Sequence, residues 1–132
     1  MYILVIGCGR TGSSIANLLS KEGKNVVVVD RDGEAFDRLS AEFTGFTIVG
    51  DATEIEVLKE AKLDKTDVAV ITTNDDNVNA MIAQIASKLY NISKVFVRVI
   101  DPSKEVIYEN TNIIQMNPTN LLVSEFKDRI IS

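Results

Sequence analysis

The sequence predicts an α/β fold: a doubly wound, six-stranded parallel sheet of order 3-2-1-4-5-6 with helices on both faces. Short runs of β-branched residues alternate with longer stretches of helical periodicity, which is typical of repeated βα units. The short runs are nearly all apolar, as in strands that helices cover on both sides. At 132 residues, the chain is expected to form a single domain over residues 1–132.

Six strands are predicted from the apolar runs. They lie at Tyr2–Ile6, Val26–Val29, Thr47–Val49, Val68–Thr72, Val95–Val99 and Ile113–Met116. Because strands and helices alternate throughout, all six strands are expected to be parallel.

Three helices are predicted in the first half of the chain, each from an apolar stripe or a capping signal. The residues that predict them are Ile15, Leu18 and Leu19, then Phe36, Leu39 and Phe43, and finally the capping box Thr53-Glu54-Ile55-Glu56. Gly23 is placed to close the first helix as a left-handed C-cap, and Asp32 to cap the second.

Three more helices are predicted in the second half. The fourth has the longest stripe, formed by Val78, Met81, Ile82, Ile85 and Leu89. Asp101-Pro102 and Asn117-Pro118 open the fifth and sixth, since each places a capping side chain before a proline at the first helical position. The sixth has an unusually wide apolar surface, formed by Leu121, Leu122, Val123, Phe126, Ile130 and Ile131. These six residues either pack on the last strands or contact a second copy of the chain.

Composition excludes several function classes. Hydrophobic residues make up 45% and charged residues 25% of the chain, as in globular proteins. The formal net charge of −5 argues against binding to nucleic acid or anionic lipid. No apolar run reaches the ~18 residues that a membrane span needs. With one cysteine and no signal-peptide pattern, the protein is expected to be cytoplasmic.

The segment Gly7-Cys8-Gly9-Arg10-Thr11-Gly12 follows the first strand and opens the first helix. Glycines at these spacings permit a tight turn, close approach of the backbone to a pyrophosphate, and close helix–strand packing. The helix N-terminus adds N–H donors and partial positive charge. Any tight strand-to-helix turn can have the same pattern. Asp30 favours the nucleotide site, because it ends the second strand close to the ~20 residues after the last glycine where an acid binds the ribose.

Asp30 also bears on which nucleotide binds. A carboxylate that faces the ribose 2′-position repels a 2′-phosphate, so NADP is disfavoured. Arg31 is either a partner for such a phosphate or a solvated loop cation, and we expect the second. Gly9→Ala and Asp30→Ala are both expected to weaken nucleotide binding and to leave the fold intact.

Two further loops lie at the same edge of the predicted sheet. Asp51 and Ala52, after Gly50, end the third strand, where they are expected either to meet an adenine or to form a plain turn with a helix-capping acid. The polar segment Thr72-Thr73-Asn74-Asp75-Asp76-Asn77 ends and follows the fourth strand, next to the first strand across the topological switch point. Its side chains are expected mostly to cap the next helix, and one or two to contact the distal half of a ligand.

Groups for catalysis are scarce, since the chain has no histidine. Tyr90 and Lys94 have the Tyr-x-x-x-Lys spacing of short-chain dehydrogenases, but they are expected at the amino-terminal edge of the sheet, opposite the ligand. Cys8 is expected to pack beneath the glycine turn as a small hydrophobic residue. We therefore expect neither catalysis nor a metal site.

Taken together, these features resemble a known family. They comprise the glycine loop with arginine at its fourth position, Asp30, the Gly50-Asp51-Ala52 turn, Asp76-Asn77-Val78-Asn79, and Arg98 in the fifth strand. The sequence resembles the potassium-transport nucleotide-binding domain, also called the regulator-of-potassium-conductance (RCK/KTN) N-terminal domain, over nearly its whole length. The resemblance implies a Rossmann domain that binds NAD(H), ATP, ADP or AMP, without catalysis. It also implies that the domain gates a potassium channel or transporter by changing shape in a cytoplasmic ring.

Carried over by position, the resemblance assigns the phosphates to Gly7, Gly9 and Gly12, the ribose to Asp30, and the adenine to Asp51 with Ala52. It implies that Arg10 reaches phosphates, including those of a neighbouring subunit, and that Arg98 lies near the distal end of the ligand. The implied partners are a membrane-embedded potassium channel or transporter subunit and further copies of this chain or a second RCK-type chain. The implied location is the inner face of the cell membrane, reached through that transporter.

Many members of this family continue into a smaller C-terminal regulatory domain. We do not expect that domain within this chain, so its function would be absent or supplied by a partner chain. The alternatives to a regulatory domain are an NAD-dependent oxidoreductase, or the cofactor half of one, and a Rossmann domain with an empty site.

Overall fold

The computed structural model describes residues 1–132 and is built around one sheet of six parallel strands. The strands are β1 (Tyr2–Ile6), β2 (Asn25–Asp30), β3 (Phe46–Val49), β4 (Val68–Ile71), β5 (Lys94–Arg98) and β6 (Ile114–Met116). Their order in the sheet is β3-β2-β1-β4-β5-β6. The chain changes direction across the sheet between β1 and β4, so the carboxyl ends of these two strands border a crevice. The predicted fold class is confirmed.

Four α-helices surround the sheet: α1 (Arg10–Lys21), α2 (Ile55–Glu60), α3 (Asp76–Gln84) and α4 (Pro118–Ile131). A π-helical turn at Ile85–Leu89 extends α3. Three connections form short 3₁₀ segments, at Gly33–Arg38, Leu63–Lys65 and Pro102–Tyr108. None of the helices has both the length and the apolar character that a membrane crossing requires.

The predicted second and fifth helices are 3₁₀ segments. The first of them ends at Arg38 and is followed by extended Leu39, so Phe36 lies in the 3₁₀ segment but Leu39 and Phe43 are not helical. The other ends at Tyr108 and is followed by extended Glu109 and left-handed Asn110. Each segment closes with a hydrogen bond to the third residue back, from the N–H of Leu39 to Phe36 and from the N–H of Glu109 to Val106, and the extended residue that follows ends the helical turn.

The predicted capping box at Thr53 does not form. The Thr53 hydroxyl donates to Oδ1 of Asp51 at 2.7 Å, and Glu54 occupies the N-cap position of α2 without a side-chain hydrogen bond. With Glu54 at the N-cap, the helix begins one residue later than the capping box requires, so the Thr53 oxygen does not accept from an N–H of the first turn.

Helices lie on both faces of the sheet, as predicted, but they cover the two faces unequally. Residues paired across neighbouring strands show this. On one face, packed against Leu58 of α2 and Ile82 of α3, the buried row is Ile6, Ile71 and Val97. On the α1 face, burial decreases along the row Val5, Val70, Phe96 and Ile114, from full burial at Val5 to 45% exposure at Ile114. The α1 face is therefore open over β5 and β6.

Helix α4 does not cover that open face, because none of its residues is buried. Its six apolar residues are all between 56% and 77% exposed, namely Leu121, Leu122, Val123, Phe126, Ile130 and Ile131. The interpretation that they pack on the last strands of their own domain is therefore wrong. The start of the helix is nevertheless anchored, since Asn117 donates from Nδ2 to the carbonyls of Val99 and Ile100 and accepts from the N–H of Asn120.

Candidate functional site

A cleft of about 560 Å³ lies at the carboxyl ends of β1 to β4. The glycine loop, the end of β2, the turn after β3 and the loop after β4 form its walls. Most of the predicted ligand residues line it: Gly7, Cys8, Gly9, Asp30, Arg31, Asp51, Ala52, Thr72, Thr73 and Asn74. Arg10, Thr11, Gly12 and Arg98 are not part of the lining. The fold thus brings four separate loops of the sequence to one cleft.

The three glycines of the loop have different structural roles. Gly7 has a φ of +97°, and a Cβ there would lie 2.9 Å from the carbonyl of Thr72. A Cβ on Gly12 would lie 1.8 Å from the carbonyl oxygen of Gly7, so Gly12 permits the close packing of α1 on β1. Gly9 has an ordinary φ of −79°, and a Cβ on it would meet no protein atom within 4 Å. The protein therefore needs glycine at positions 7 and 12 for its own packing, whereas the space beside Gly9 remains available for a ligand.

The start of α1 is an anion-binding feature. Gly9 is its N-cap and offers no side-chain cap, and the first turn holds no acidic residue. The first N–H groups of any α-helix lack partners within the helix, and the helix dipole places partial positive charge there. The open space beside Gly9 leads to these donors, so a phosphate can be bound without moving the backbone.

Asp30 connects the glycine loop to the end of β2. Its Oδ2 accepts from the N–H of Cys8 at 2.7 Å, and its Oδ1 accepts from the N–H of Asp32 at 2.9 Å. Each carboxylate oxygen has a second lone pair, so hydroxyl groups of a ribose can still donate to Asp30. The residue therefore has a structural role in addition to the predicted contact with ligand.

Cys8 is fully buried beneath the glycine turn, as expected. Burial raises the pKa of its thiol, nearby Asp30 raises it further, and Arg38 opposes this effect. Since the thiolate is the nucleophilic form, Cys8 is a poor nucleophile in this position. Tyr90 and Lys94 do not line the cleft, and Lys94 is the first residue of β5, at the amino end of that strand.

Asp51 and Ala52 form the wall next to β3. Oδ1 of Asp51 accepts from the hydroxyl and from the N–H of Thr53, and these hydrogen bonds lower the pKa of the carboxyl group below its usual value. Asp51 therefore stays ionised at neutral pH. Ala52 is buried in the larger core cluster, so its backbone rather than its side chain is available beside the cleft.

Three charged residues of the cleft lie outside the predicted ligand residues: Asp32 and Asp75, which were expected to cap helices, and Arg38, which sequence reasoning missed. Arg38, on the 3₁₀ segment after β2, lines the cleft and donates to the Cys8 carbonyl over 3.5 Å. Asp75 lines the opposite side while its Oδ1 accepts from the N–H groups of Asn77 and Val78 at the start of α3. The only sequence signal for Arg38 is its place in a segment that starts at the carboxyl edge of the sheet.

The charges in the cleft do not balance. Four carboxylates line it, from Asp30, Asp32, Asp51 and Asp75, against the two guanidinium groups of Arg31 and Arg38. Neither arginine forms an ion pair, since Arg129 and Glu125 on α4 form the one salt bridge of the structure. The lining is thus net acidic, and its anion-binding groups are the start of α1 and the two arginines.

Residues 3–117 match the family model of the TrkA-N domain. The chain belongs to the TrkA-N domain family. This membership confirms the resemblance to the KTN/RCK N-terminal domain. A curated relative, the Trk system potassium uptake protein TrkA of Streptomyces coelicolor, is 32% identical over 113 residues, which are 86% of this chain and 51% of the relative. The TrkA homologue of Methanothermobacter thermautotrophicus is 27% identical over 100% of this chain and 61% of its own length. This TrkA-N domain thus spans about half the length of the curated relatives that it matches.

Solved structures share the fold. The TrkA-N domain of the inner membrane protein ybaL from Escherichia coli superposes with a TM-score of 0.84 at 19% identity, covering 96% of this chain and 94% of that one. The GsuK channel bound to NAD superposes with a TM-score of 0.72 at 22% identity, covering 88% of this chain and 20% of that one.

Proposed function

We propose that this TrkA-N domain is the nucleotide-sensing regulatory domain of a potassium channel or transporter. Binding of an adenine nucleotide would favour one arrangement of domain copies over another and so change ion transport through an attached membrane subunit. The observation that carries the proposal is the uncapped start of α1, with free space at Gly9 and the carboxylates of Asp30 and Asp51 beyond it. This arrangement suits a phosphate at one end and a nucleoside at the other.

Solved proteins of similar fold bind ligands of this class. GsuK has been solved with NAD and with ADP, and a Kef C-terminal domain from Shewanella denitrificans in an AMP-bound form. The net acidic lining of the cleft favours ligands with few phosphate charges, so NAD(H) and AMP are expected to bind more tightly than ATP. Asp30 disfavours the 2′-phosphate of NADP.

The proposal includes assembly into at least a homodimer, and a larger ring with a membrane partner. Helix α4 exposes its apolar residues, and the α1 face is open over β5 and β6. Apolar surfaces of this kind usually mark an interface with another chain. We place the domain on the cytoplasmic side of the membrane, held there by the transporter subunit.

We propose further that the domain performs no catalysis. The cleft contains no histidine, its cysteine is buried with a raised pKa, and the Tyr90–Lys94 pair lies elsewhere. The sensor is therefore expected to bind nucleotide without consuming it.

Mass spectrometry of the nucleotide that co-purifies with the domain, followed by calorimetry with NAD, NADH, AMP, ADP and ATP, tests the proposal. Saturable binding of at least one of these ligands, with none consumed over hours, is the expected result. Absence of binding by every ligand contradicts the nucleotide assignment. Steady NADH oxidation with small carbonyl compounds, lost in Tyr90→Phe or Cys8→Ser, favours the oxidoreductase.

A further inference from the structure

Arg98, which the resemblance assigned to the ligand, is directed at the loop that follows β4. Its Nη2 donates to the carbonyl oxygens of Thr72 at 2.7 Å and Thr73 at 2.9 Å, and to Oδ1 of Asn74 at 3.0 Å. These three residues line the cleft, whereas Arg98 does not. The guanidinium group thus contacts the cleft wall from behind.

Asn79 holds the same wall from α3. Its side chain is fully buried, and its Nδ2 donates to the carbonyls of Thr73 at 3.0 Å and Arg98 at 3.2 Å. Its Oδ1 accepts from the N–H and the hydroxyl of Thr73. The peptide groups on both sides of Thr73 are therefore fixed by side chains from α3 and β5. Hydrogen bonds from two elements thus hold the backbone at Thr73 in one geometry, although the Nε of Arg98 itself has no partner.

The position of this wall indicates which part of a ligand it meets. In a doubly wound sheet, the two halves of a dinucleotide lie on opposite sides of the switch point. Asp30 and Asp51 border the half of the cleft next to β2 and β3. Thr72, Thr73 and Asn74 border the half next to β4, beyond the expected place of the pyrophosphate.

We propose that Arg98 is a positioning residue that sets the preference of the cleft for a dinucleotide over a mononucleotide. This inference rests on the proposed nucleotide function and adds a determinant of ligand choice. Arg98 fixes the carbonyls of Thr72 and Thr73, and the wall that they form receives the second nucleotide half. AMP ends before this wall, so its binding does not depend on Arg98.

Two substitutions separate this role from a general contribution to folding. Arg98→Met removes the donor and leaves three acceptors without it, while the length of the side chain is largely kept. Arg98→Lys places an ammonium group with three N–H donors where one guanidinium nitrogen now serves three acceptors. Lysine is therefore expected to restore the wall, whereas methionine is not. Arg129→Met, in which the arginine lies on exposed α4, is the matched control.

Calorimetry with NAD and with AMP gives the first measurement. Arg98→Met is expected to weaken NAD binding by about tenfold, because the wall loses its three hydrogen bonds from Arg98 and no longer holds its contact with the ligand; this is as much as one charge-assisted hydrogen bond contributes. AMP affinity is expected to change by less than twofold, and Arg98→Lys and Arg129→Met to bind both nucleotides nearly as the wild type does. Equal losses for NAD and AMP, or no rescue by lysine, overturn the proposal.

Amide hydrogen exchange of residues 72–78 in the nucleotide-free protein gives the second measurement. Exchange is expected to be faster in Arg98→Met and similar to wild type in Arg98→Lys. If the wild-type chain binds neither nucleotide, both the proposed function and the role of Arg98 in ligand choice are wrong. Hydrogen exchange then still reports whether Arg98 fixes the wall. Unchanged exchange in Arg98→Met overturns the inference even where nucleotide binds normally. Arg98→Gln, which is too short to reach the same acceptors, replaces the methionine variant if that variant does not fold.

Discussion

Gly9→Ala separates the requirements of the ligand from those of the fold. The sequence motif does not distinguish the roles of the three glycines in the loop. In the structure, a Cβ on Gly9 meets no protein atom within 4 Å, whereas a Cβ on Gly12 lies 1.8 Å from the carbonyl oxygen of Gly7. Alanine at position 9 is therefore expected to fold normally and to place its methyl group in the space proposed for a phosphate.

The expected change in stability is small. Alanine at a compatible backbone conformation gains about 0.4–1 kcal/mol from reduced entropy of the unfolded chain. Alanine is also a poorer N-cap than glycine, which costs about 0.5–1 kcal/mol. Because these effects have opposite signs, the free energy of unfolding of Gly9→Ala is expected within about 1 kcal/mol of wild type. Urea denaturation followed by circular dichroism measures it.

The expected change in affinity is much larger. A methyl group keeps a phosphate from the backbone donors, and each hydrogen bond to a charged group contributes about 1.5–3 kcal/mol. Loss of one such bond weakens binding by roughly 10- to 100-fold, as calorimetry with the preferred nucleotide measures.

Gly12→Ala is the matched control, because its Cβ overlaps the backbone and overpacking of this severity costs about 3 kcal/mol or more. The expected pattern is thus a stable variant that binds poorly and an unstable variant. Unchanged nucleotide affinity in Gly9→Ala, or equal destabilisation of the two variants, would refute the assignment of Gly9 to ligand binding and of Gly12 to helix–strand packing.

Three further predictions concern other parts of the molecule. Asp30→Ala is expected to weaken nucleotide binding. Contrary to the expectation from sequence, it is also expected to lower the free energy of unfolding by about 1–3 kcal/mol, since the N–H groups of Cys8 and Asp32 lose their acceptor. A variant as stable as the wild type in urea denaturation contradicts this. Phe126→Asp is expected to leave the monomer folded, because Phe126 is 58% exposed. It is also expected to abolish the homodimer, as light scattering at tens of micromolar measures. A monomeric wild type, or a dimeric variant, contradicts this prediction. Burial raises the pKa of Tyr108 to about 12, so the free energy of unfolding is expected to fall as the pH rises from about 10, where unfolded tyrosine ionises, towards 12. Tyr108→Phe is expected to weaken this dependence, since buried Cys8, whose pKa is also raised, still contributes to it; an unaltered dependence in that variant counts against the prediction.

The sequence alone predicted the class of fold and the location of the cleft. Alternating apolar runs and helical stripes are local patterns that depend on the periods of strand and helix, so β1 to β6 could be recognised without any contact between them. The glycine loop and Asp30 could be recognised in the same way, because backbone conformation at a strand-to-helix turn depends mainly on nearby residues. The connections were predicted less well, since Leu39 is extended and interrupts the apolar stripe that runs from Phe36 to Phe43 in the sequence.

Only the tertiary structure decided which partner each polar side chain has. Arg98 has the same sequence signal whether it faces a ligand or the Thr72 carbonyl, and Thr53 has the same signal whether it caps α2 or donates to Asp51. The apolar residues of α4 likewise do not reveal whether they are covered, because burial depends on the position of the whole helix relative to the sheet. Periodicity and turn conformation are set by residues close in sequence, whereas hydrogen-bond partners and burial are set by groups that folding brings together from distant positions.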